Sequence, residues 1–145
     1  MAPKNPWLLA AGWMSVAASL LHLAVIAGGA DWYRFFGAGE QLARAAERGS
    51  LVPTFMTIGI ALVLAIWAAF AFSAARLFRT LPLTRTALIA ITIVLLARGL
   101  LGFTPVFLPI PSFTFIIWSS VICLLMGICF ALGTWRAWPH LSQRN

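Results

Sequence analysis

The chain has 145 residues, enough for one domain, and 62 % of them are hydrophobic while only 9 % are charged. Three acidic and ten basic residues cannot cover the exterior of a water-soluble fold of this size, whereas lipid covers apolar side chains without penalty. The net charge of +7 comes from bases scattered singly at the ends of apolar runs, which argues against a nucleic-acid partner. We therefore expect an integral membrane protein.

Four apolar runs each reach the ~20 residues needed to cross a hydrocarbon core of ~30 Å. They cover residues 7–29, 51–78, 86–104 and 112–135. Backbone groups in lipid must pair within their own segment, and no run alternates like a barrel strand, so each is predicted to be a helix. The predicted fold class is all-α: one domain, residues 1–145, forming an antiparallel four-helix transmembrane bundle with an amphipathic or re-entrant segment between the first two spans.

The first run also has features of a signal peptide cleaved after Ala30, because Lys4 precedes it and small residues end it. It is longer than a typical signal-peptide core and contains His22. We therefore expect an uncleaved span.

Small residues recur every four positions in three spans, a spacing that lets helix backbones approach closely. The sets are Ala11, Ser15 and Ser19 in the first span, Ala61, Ala65, Ala69 and Ser73 in the second, and Ser119, Cys123, Gly127 and Ala131 in the fourth. These faces are expected to pack together, and chance recurrence in an alanine-rich chain is the competing explanation.

The connection at residues 31–50 is long for a link between adjacent spans, which indicates structure of its own. A helix is predicted from Glu40 to Arg48, with an ion pair between Glu40 and Arg44 and a stop at Gly49. One interpretation places this amphipathic helix in the headgroup layer. The other is a lid, in which a glycine-rich bend turns Glu40 inward over the outer mouth of the bundle.

The basic residues predict the orientation of the chain. One side of a four-span protein would carry Lys4, Arg76, Arg79, Arg85, Arg136 and Arg144. The positive-inside rule then places both termini in the cytoplasm. The preference for Arg over Lys and the abundance of Ala resemble the codon bias of a high-GC bacterium, so a bacterial inner membrane is expected. Aromatic belts are expected from Trp7, Trp135 and Trp138 at the inner face and from Trp32, Tyr33, Phe35 and Phe36 at the outer face.

Two titratable side chains, His22 and Arg98, lie well within the spans. An Arg in hydrocarbon costs several kcal/mol unless it finds a partner, so it hints at function. Both residues lie about 9 Å below the predicted outer surface, at the depth of Thr57 and Ser119 on the other two spans. The connection adds Tyr33 and Glu40, with Glu40 expected to be the counter-ion of Arg98. The candidate ligand-binding set is therefore His22, Tyr33, Glu40, Thr57, Arg98 and Ser119.

Structural explanations compete with a ligand site. Arg98 could snorkel outward or fasten the connection by pairing with Glu40 or Asp31, and His22 could bond Ser19 one turn earlier. A metal site is disfavoured because one His lies within the membrane, and haem because His140 lies at the opposite end. No cofactor is expected.

Several short motifs carry a resemblance to a known group of proteins. They are His22-Leu23 in the first span, Tyr33, the stretch FGAGE at 36–40, Gly49-Ser50, Pro53, Thr57, and Arg98-Gly99 in the third span. This pattern, over about three quarters of the chain, resembles a family of small bacterial four-span inner-membrane proteins with no established activity. The resemblance implies the same topology and the same polar residues, and it transfers no reaction.

Three classes of function remain open. The first is binding or transport of a lipid-like or anionic amphipathic molecule, with Arg98 holding its head group and Phe36 and Trp118 lining the apolar part. The second is an accessory subunit of a membrane complex, whose partners would be a further copy or another membrane protein. The third is an intramembrane enzyme using His22 or Glu40 as acid or base and Arg98 to stabilise developing negative charge, with a pH dependence near neutrality.

Overall fold

The computed structural model describes residues 4–79, 81–104 and 113–141, without the side chains at 113, 114 and 140. Within these ranges it contains no strand and five helices, α1 (Pro6–Phe35), α2 (Glu40–Glu47), α3 (Val52–Ala74), α4 (Thr84–Leu101) and α5 (Phe113–Leu141). All but α2 are long and apolar enough to cross a membrane. The predicted all-α bundle of four candidate spans is therefore confirmed.

The four long helices form an antiparallel ring in the order α1, α3, α4, α5. The closest packing joins α1 to α3 and α4 to α5, α5 also packs on α1, and α3 touches α4 less extensively. Glycine permits two of these approaches, since a side chain at Gly127 would collide with Leu96 of α4, and one at Gly133 with Leu8 of α1. The bundle thus consists of two closely packed helix pairs, α1 with α3 and α4 with α5. The pairs pack well where α5 meets α1 and loosely where α3 meets α4.

The small-residue faces are only partly as predicted. Ala11, Ser15 and Ser19 of α1 are all buried, as expected. On α3, however, Ala65 is exposed, and the buried line runs through Ala61, Leu64, Ala68 and Ala71. The prediction of a strict four-residue repeat was wrong there because such a repeat drifts by about 40° per step on a helix of 3.6 residues per turn.

One end of the bundle, the basic end, gathers the start of α1, the α3–α4 turn and the end of α5. Asn5 caps α1 by accepting from the backbone N–H groups of Trp7 and Leu8, and its Nδ2 donates to the carbonyl of Gly133 at 2.7 Å. The basic residues of this end within the described ranges are Lys4, Arg76, Arg79, Arg85 and Arg136.

The opposite end, the capped end, is covered by residues 30–50, which we term the cap. At Gly29 the backbone takes φ +66°, a conformation that favours glycine, and α1 kinks there. In α2, Ala43 is fully buried and packs with Val25 and Tyr33 of α1. The cap therefore lies against α1 and α3 at this end of the bundle and has a small apolar core of its own.

Candidate functional site

The cap is held together by one guanidinium, that of Arg34. This group forms ion pairs with Glu40 at 2.9 Å, with Glu47 at 2.8 Å and with Asp31 at 3.5 Å. Glu40 also accepts from Arg44 at 2.9 Å, which confirms the predicted pair one turn apart. Arg34 thus links the last turn of α1 to both ends of α2.

These ion pairs stabilise the carboxylates in their charged form. The hydrogen bonds from Arg34, and then from Arg44, hold the pKa of Glu40 at about 2, and Arg34 also lowers the pKa of Glu47. All these groups are solvent-accessible, so water screens their interactions. Near neutral pH the cap is therefore a fully ionised network.

Glu40 does not occupy the position that the sequence suggested. It was expected to serve as counter-ion to Arg98 and, in the lid interpretation, to turn inward. Its side chain is instead 47 % exposed and lies on Arg34 and Arg44. The expectation was wrong because Arg34, brought alongside α2 by the kink and the turn that follows it, is the nearer cation.

Tyr33 and Thr57 meet beneath the cap, between α1 and α3. The Tyr33 hydroxyl lies 3.2 Å from Oγ1 of Thr57, and both residues are buried. Since Thr57 donates its single hydroxyl proton to the carbonyl of Pro53 at 2.7 Å, Tyr33 must be the donor in the pair. Tyr33 is only 3 % exposed, so its expected place in an aromatic belt was wrong, whereas Trp32 and Phe35 are exposed.

His22 lies in the middle of α1 and is half-buried. Its Nδ1 is 2.7 Å from the carbonyl of Ala18, one turn earlier in the same helix. A carbonyl can only accept, so Nδ1 carries the proton in this contact and Nε2 is the nitrogen left for another partner. The suggested bond to Ser19 does not form, because Ser19 donates to the carbonyl of Ala61 across the α1–α3 seam.

Arg98 and Ser119 meet between α4 and α5 at the capped end. Nη2 of Arg98 donates to Oγ of Ser119 at 3.4 Å, and that hydroxyl in turn donates to the carbonyl of Ile116 at 3.0 Å. Arg98 is exposed. Because α4 ends at Leu101, Arg98 lies about 4.5 Å from the helix end, shallower than the 9 Å inferred from the sequence.

No carboxylate side chain of the protein pairs with Arg98. Asp31, Glu40 and Glu47 are its three acidic residues, and each forms its ion pair with Arg34 in the cap. The contact with Ser119 is a single, long hydrogen bond to a neutral group. Within the described residues, most of the five N–H donors of Arg98 therefore have no partner.

The six predicted residues thus fall into separate groups. The structure joins Tyr33 with Thr57 and Arg98 with Ser119, while His22 bonds its own helix and Glu40 belongs to the cap network. Trp118, expected to line an apolar pocket, is 65 % exposed on α5.

Sequence reasoning overlooked the central role of Arg34. The signal was present, because all three acids of the chain lie between positions 31 and 47, and Asp31 precedes Arg34 by one helical turn. It also overlooked Ser120, whose fully buried hydroxyl has no hydrogen-bond partner in the described part of the chain and lies against Gly102. Ser120 borders the contact between Arg98 and Ser119.

Comparison with known proteins adds no further constraint. No protein-family model, no curated protein and no solved structure matches the chain. The resemblance to small bacterial four-span proteins therefore stays a prediction, and the function is argued from the geometry.

Proposed function

We propose that this protein binds or transports a lipid-like anionic amphiphile whose head group is held by Arg98 and Ser119 at the capped end of the bundle. The observation that carries the proposal is the missing counter-ion of Arg98. All three acidic side chains are engaged by Arg34, so the charge of Arg98 has no partner within the chain's own set of carboxylates.

The chemistry of the guanidinium favours this ligand class. Its planar set of donors suits a phosphate or carboxylate, and charge-assisted hydrogen bonds of this kind are stronger than neutral ones. A cation near the end of a transmembrane helix can extend its side chain to the interface, where anionic head groups lie. Exposed apolar side chains next to these two residues supply contacts for a hydrocarbon chain. Leu100 and Leu101 follow Arg98 on α4, and Trp118 precedes Ser119 on α5.

The same proposal includes the orientation of the protein. The basic end would face the cytoplasm of a bacterial inner membrane, and the capped end would face outward. The distribution of basic residues supports this orientation, because the basic end carries five Arg and Lys residues within the described ranges and the cap carries three. The ligand would then be drawn from the outer leaflet.

The test is the set of molecules that the purified protein retains in mild detergent, measured by native mass spectrometry. Wild type is compared with Arg98→Ala, and with Arg98→Lys, which keeps the charge but loses the planar fork. The matched control is Arg48→Ala, which removes an exposed Arg from the cap at the same end. Emptied protein is then titrated with a short-chain phosphatidic acid and with a fatty acid, to separate phosphate from carboxylate ligands.

We expect a discrete anionic species on wild type and on Arg48→Ala. Arg98→Ala should bind it about 10- to 100-fold more weakly, as expected for loss of hydrogen bonds to a charged group worth about 1.5–3 kcal/mol, and Arg98→Lys should be intermediate. Equal binding by wild type and Arg98→Ala would overturn the proposal. The proposal would also be overturned if Arg98→Ala bound the anionic species as well as wild type does but unfolded more easily, because Arg98 would then have a structural role.

A second candidate function, an accessory subunit, is favoured by the loose seam between α3 and α4. An apolar groove of about 200 Å³ opens there, lined by Ile66, Trp67, Phe70, Ala87, Ala90, Ile91 and Val94. Small residues such as Ala87 and Ala90 would admit a partner helix closely. The same purification distinguishes the two functions, because this one requires a stoichiometric membrane protein partner that is still retained by Arg98→Ala.

A further inference from the structure

A second groove runs along the seam between α4 and α5 at the basic end, far from Arg98. Its cavity volume is about 270 Å³, close to the lower limit of small-molecule sites. It is lined by Ile89, Thr92, Ile93, Ala131, Thr134, Trp135 and Trp138. The α4 positions span four residues and the α5 positions span seven, so the groove follows α4 for about one turn and α5 for about two turns.

A cation lies at the end of this groove. Arg85 precedes Ile89 by four residues on the same face of α4, and its guanidinium carbon lies 4.0 Å from the ring centroid of Trp138. This cation–π contact orients the guanidinium over the aromatic ring while leaving its N–H edge for hydrogen bonding. Arg85, stacked on Trp138, thus forms a polar entrance to the apolar groove.

One hydroxyl in the wall of the groove has no partner. Thr134 is only 7 % exposed, and its Oγ1 forms no hydrogen bond within the described residues. A buried hydroxyl without a partner costs free energy. Thr92, on the facing helix, is by contrast satisfied by the carbonyl of Leu88 at 2.7 Å. The accessible wall of the groove is therefore largely apolar, and the polar group next to it is Arg85 at its end.

The charge around the groove selects an anion. Arg76, Arg79, Arg136 and Lys4 lie at the same end of the bundle, and all three acidic side chains of the chain are in the cap at the other end. Basic pockets between transmembrane helices at the interface are typical sites for anionic lipid head groups. The apolar walls and the two Trp side chains in turn suit an acyl chain and its glycerol backbone.

We infer that this groove binds one anionic phospholipid from the adjacent leaflet. Its phosphate pairs with Arg85 at the entrance, and one acyl chain lies between Ile93 and Ala131. The site is separate from that of Arg98, because Arg85 and Arg98 lie near opposite ends of α4. A lipid seated here would also cover the α4–α5 seam where it faces the membrane.

The experiment titrates lipid-stripped protein in mild detergent with phosphatidylglycerol and, separately, with zwitterionic phosphatidylcholine, and counts bound lipids by native mass spectrometry. Arg85→Gln removes the head-group contact, and Ala131→Phe fills the groove while leaving every charge in place. Arg79→Gln is the matched control, since Arg79 is an exposed Arg of the same end that lies outside the groove. Circular dichroism checks that each variant is folded.

The titration uses Arg98→Ala as the common background, which removes the other proposed anion site. In that background the parent and Arg79→Gln should each bind one phosphatidylglycerol at least tenfold more tightly than phosphatidylcholine. Arg85→Gln and Ala131→Phe should each weaken that lipid by about tenfold or more. Equal losses in Arg79→Gln and Arg85→Gln would overturn the inference in favour of general surface charge. Wild-type protein that binds the two lipids equally would overturn it without any variant, so the test does not depend on the variants folding.

Discussion

The hydrogen bond between the buried residues Tyr33 and Thr57 can be tested with a double-mutant cycle. Because the bond has a direction, removing the donor and removing the acceptor should cost different free energies of unfolding. Thr57 gives its proton to Pro53, so Tyr33 is the donor and Thr57 the acceptor. Tyr33→Phe removes the donor and leaves Thr57 satisfied by its own helix. Thr57→Val keeps the shape of the side chain but leaves a buried phenol hydroxyl without an acceptor.

The two changes should therefore cost different free energies of unfolding. For Tyr33→Phe we expect about 0.6 kcal/mol, the average for hydrogen bonds between transmembrane helices, and no more than about 1.5 kcal/mol. For Thr57→Val we expect about 1–3 kcal/mol, because the unpaired hydroxyl of Tyr33 adds its desolvation cost. In the double variant that added cost disappears, so Thr57→Val should cost about 1 kcal/mol less when Phe occupies position 33.

The assay is equilibrium unfolding in mixed micelles of increasing sodium dodecyl sulfate content, followed by far-ultraviolet circular dichroism. Thr57→Ser keeps the hydroxyl and serves as the control, with a small effect expected. If Tyr33→Phe costs as much as Thr57→Val, or if the two changes add within about 0.3 kcal/mol, the donor assignment and the coupling are both refuted.

Two further predictions concern the two ends of the bundle. Because Arg34 lowers the pKa of Glu40 from about 4.5 to about 2, the contribution of this carboxylate to stability is complete above pH 4.5 and is lost as the pH falls toward 2. Hydrogen exchange of α2, corrected for the intrinsic pH effect, should thus stay constant from pH 7 to 5 and accelerate below 4.5. At the basic end, Asn5→Ala should destabilise by about 1–2 kcal/mol in thermal unfolding, since it removes both the cap of α1 and the bond to Gly133.

Each of these predictions has a matched control. Arg34→Gln should reduce the acid-dependent change in α2, leaving only the part due to Arg44, and should speed exchange at neutral pH. An unchanged profile would contradict the assigned role of Arg34. Asn5→Asp retains the capping oxygen but cannot donate to Gly133, so its loss of stability should lie between those of wild type and Asn5→Ala. Equal stability of Asn5→Asp and Asn5→Ala would show that the cap contributes nothing.

Properties set by local composition could be predicted from the sequence. The four candidate spans follow from hydrophobic length, because the bilayer thickness imposes the same minimum on any helix. The short helix from Glu40 to Glu47 and its Glu40–Arg44 pair also follow from spacing along one helix face. These inferences succeed because each depends on residues within a few turns of one another.

The composition of the candidate site was decided by the tertiary structure. Counting residues along each span placed His22, Thr57, Arg98 and Ser119 at the same depth. Such counting does not give the rotation of each helix about its axis. That rotation joins Tyr33 to Thr57 and Arg98 to Ser119, and it exposes Ala65 of α3 where a four-residue repeat predicted burial.

The counter-ion of Arg98 shows the same limit most clearly. The sequence by itself determined that the protein has three acidic side chains and that all of them lie in the connection between the first two spans. It did not determine which cation they would reach, because that depends on the kink at Gly29 and on how the cap packs over α1 and α3. Only the folded chain brings Arg34 within reach of all three acids, and so leaves Arg98 without a carboxylate of its own.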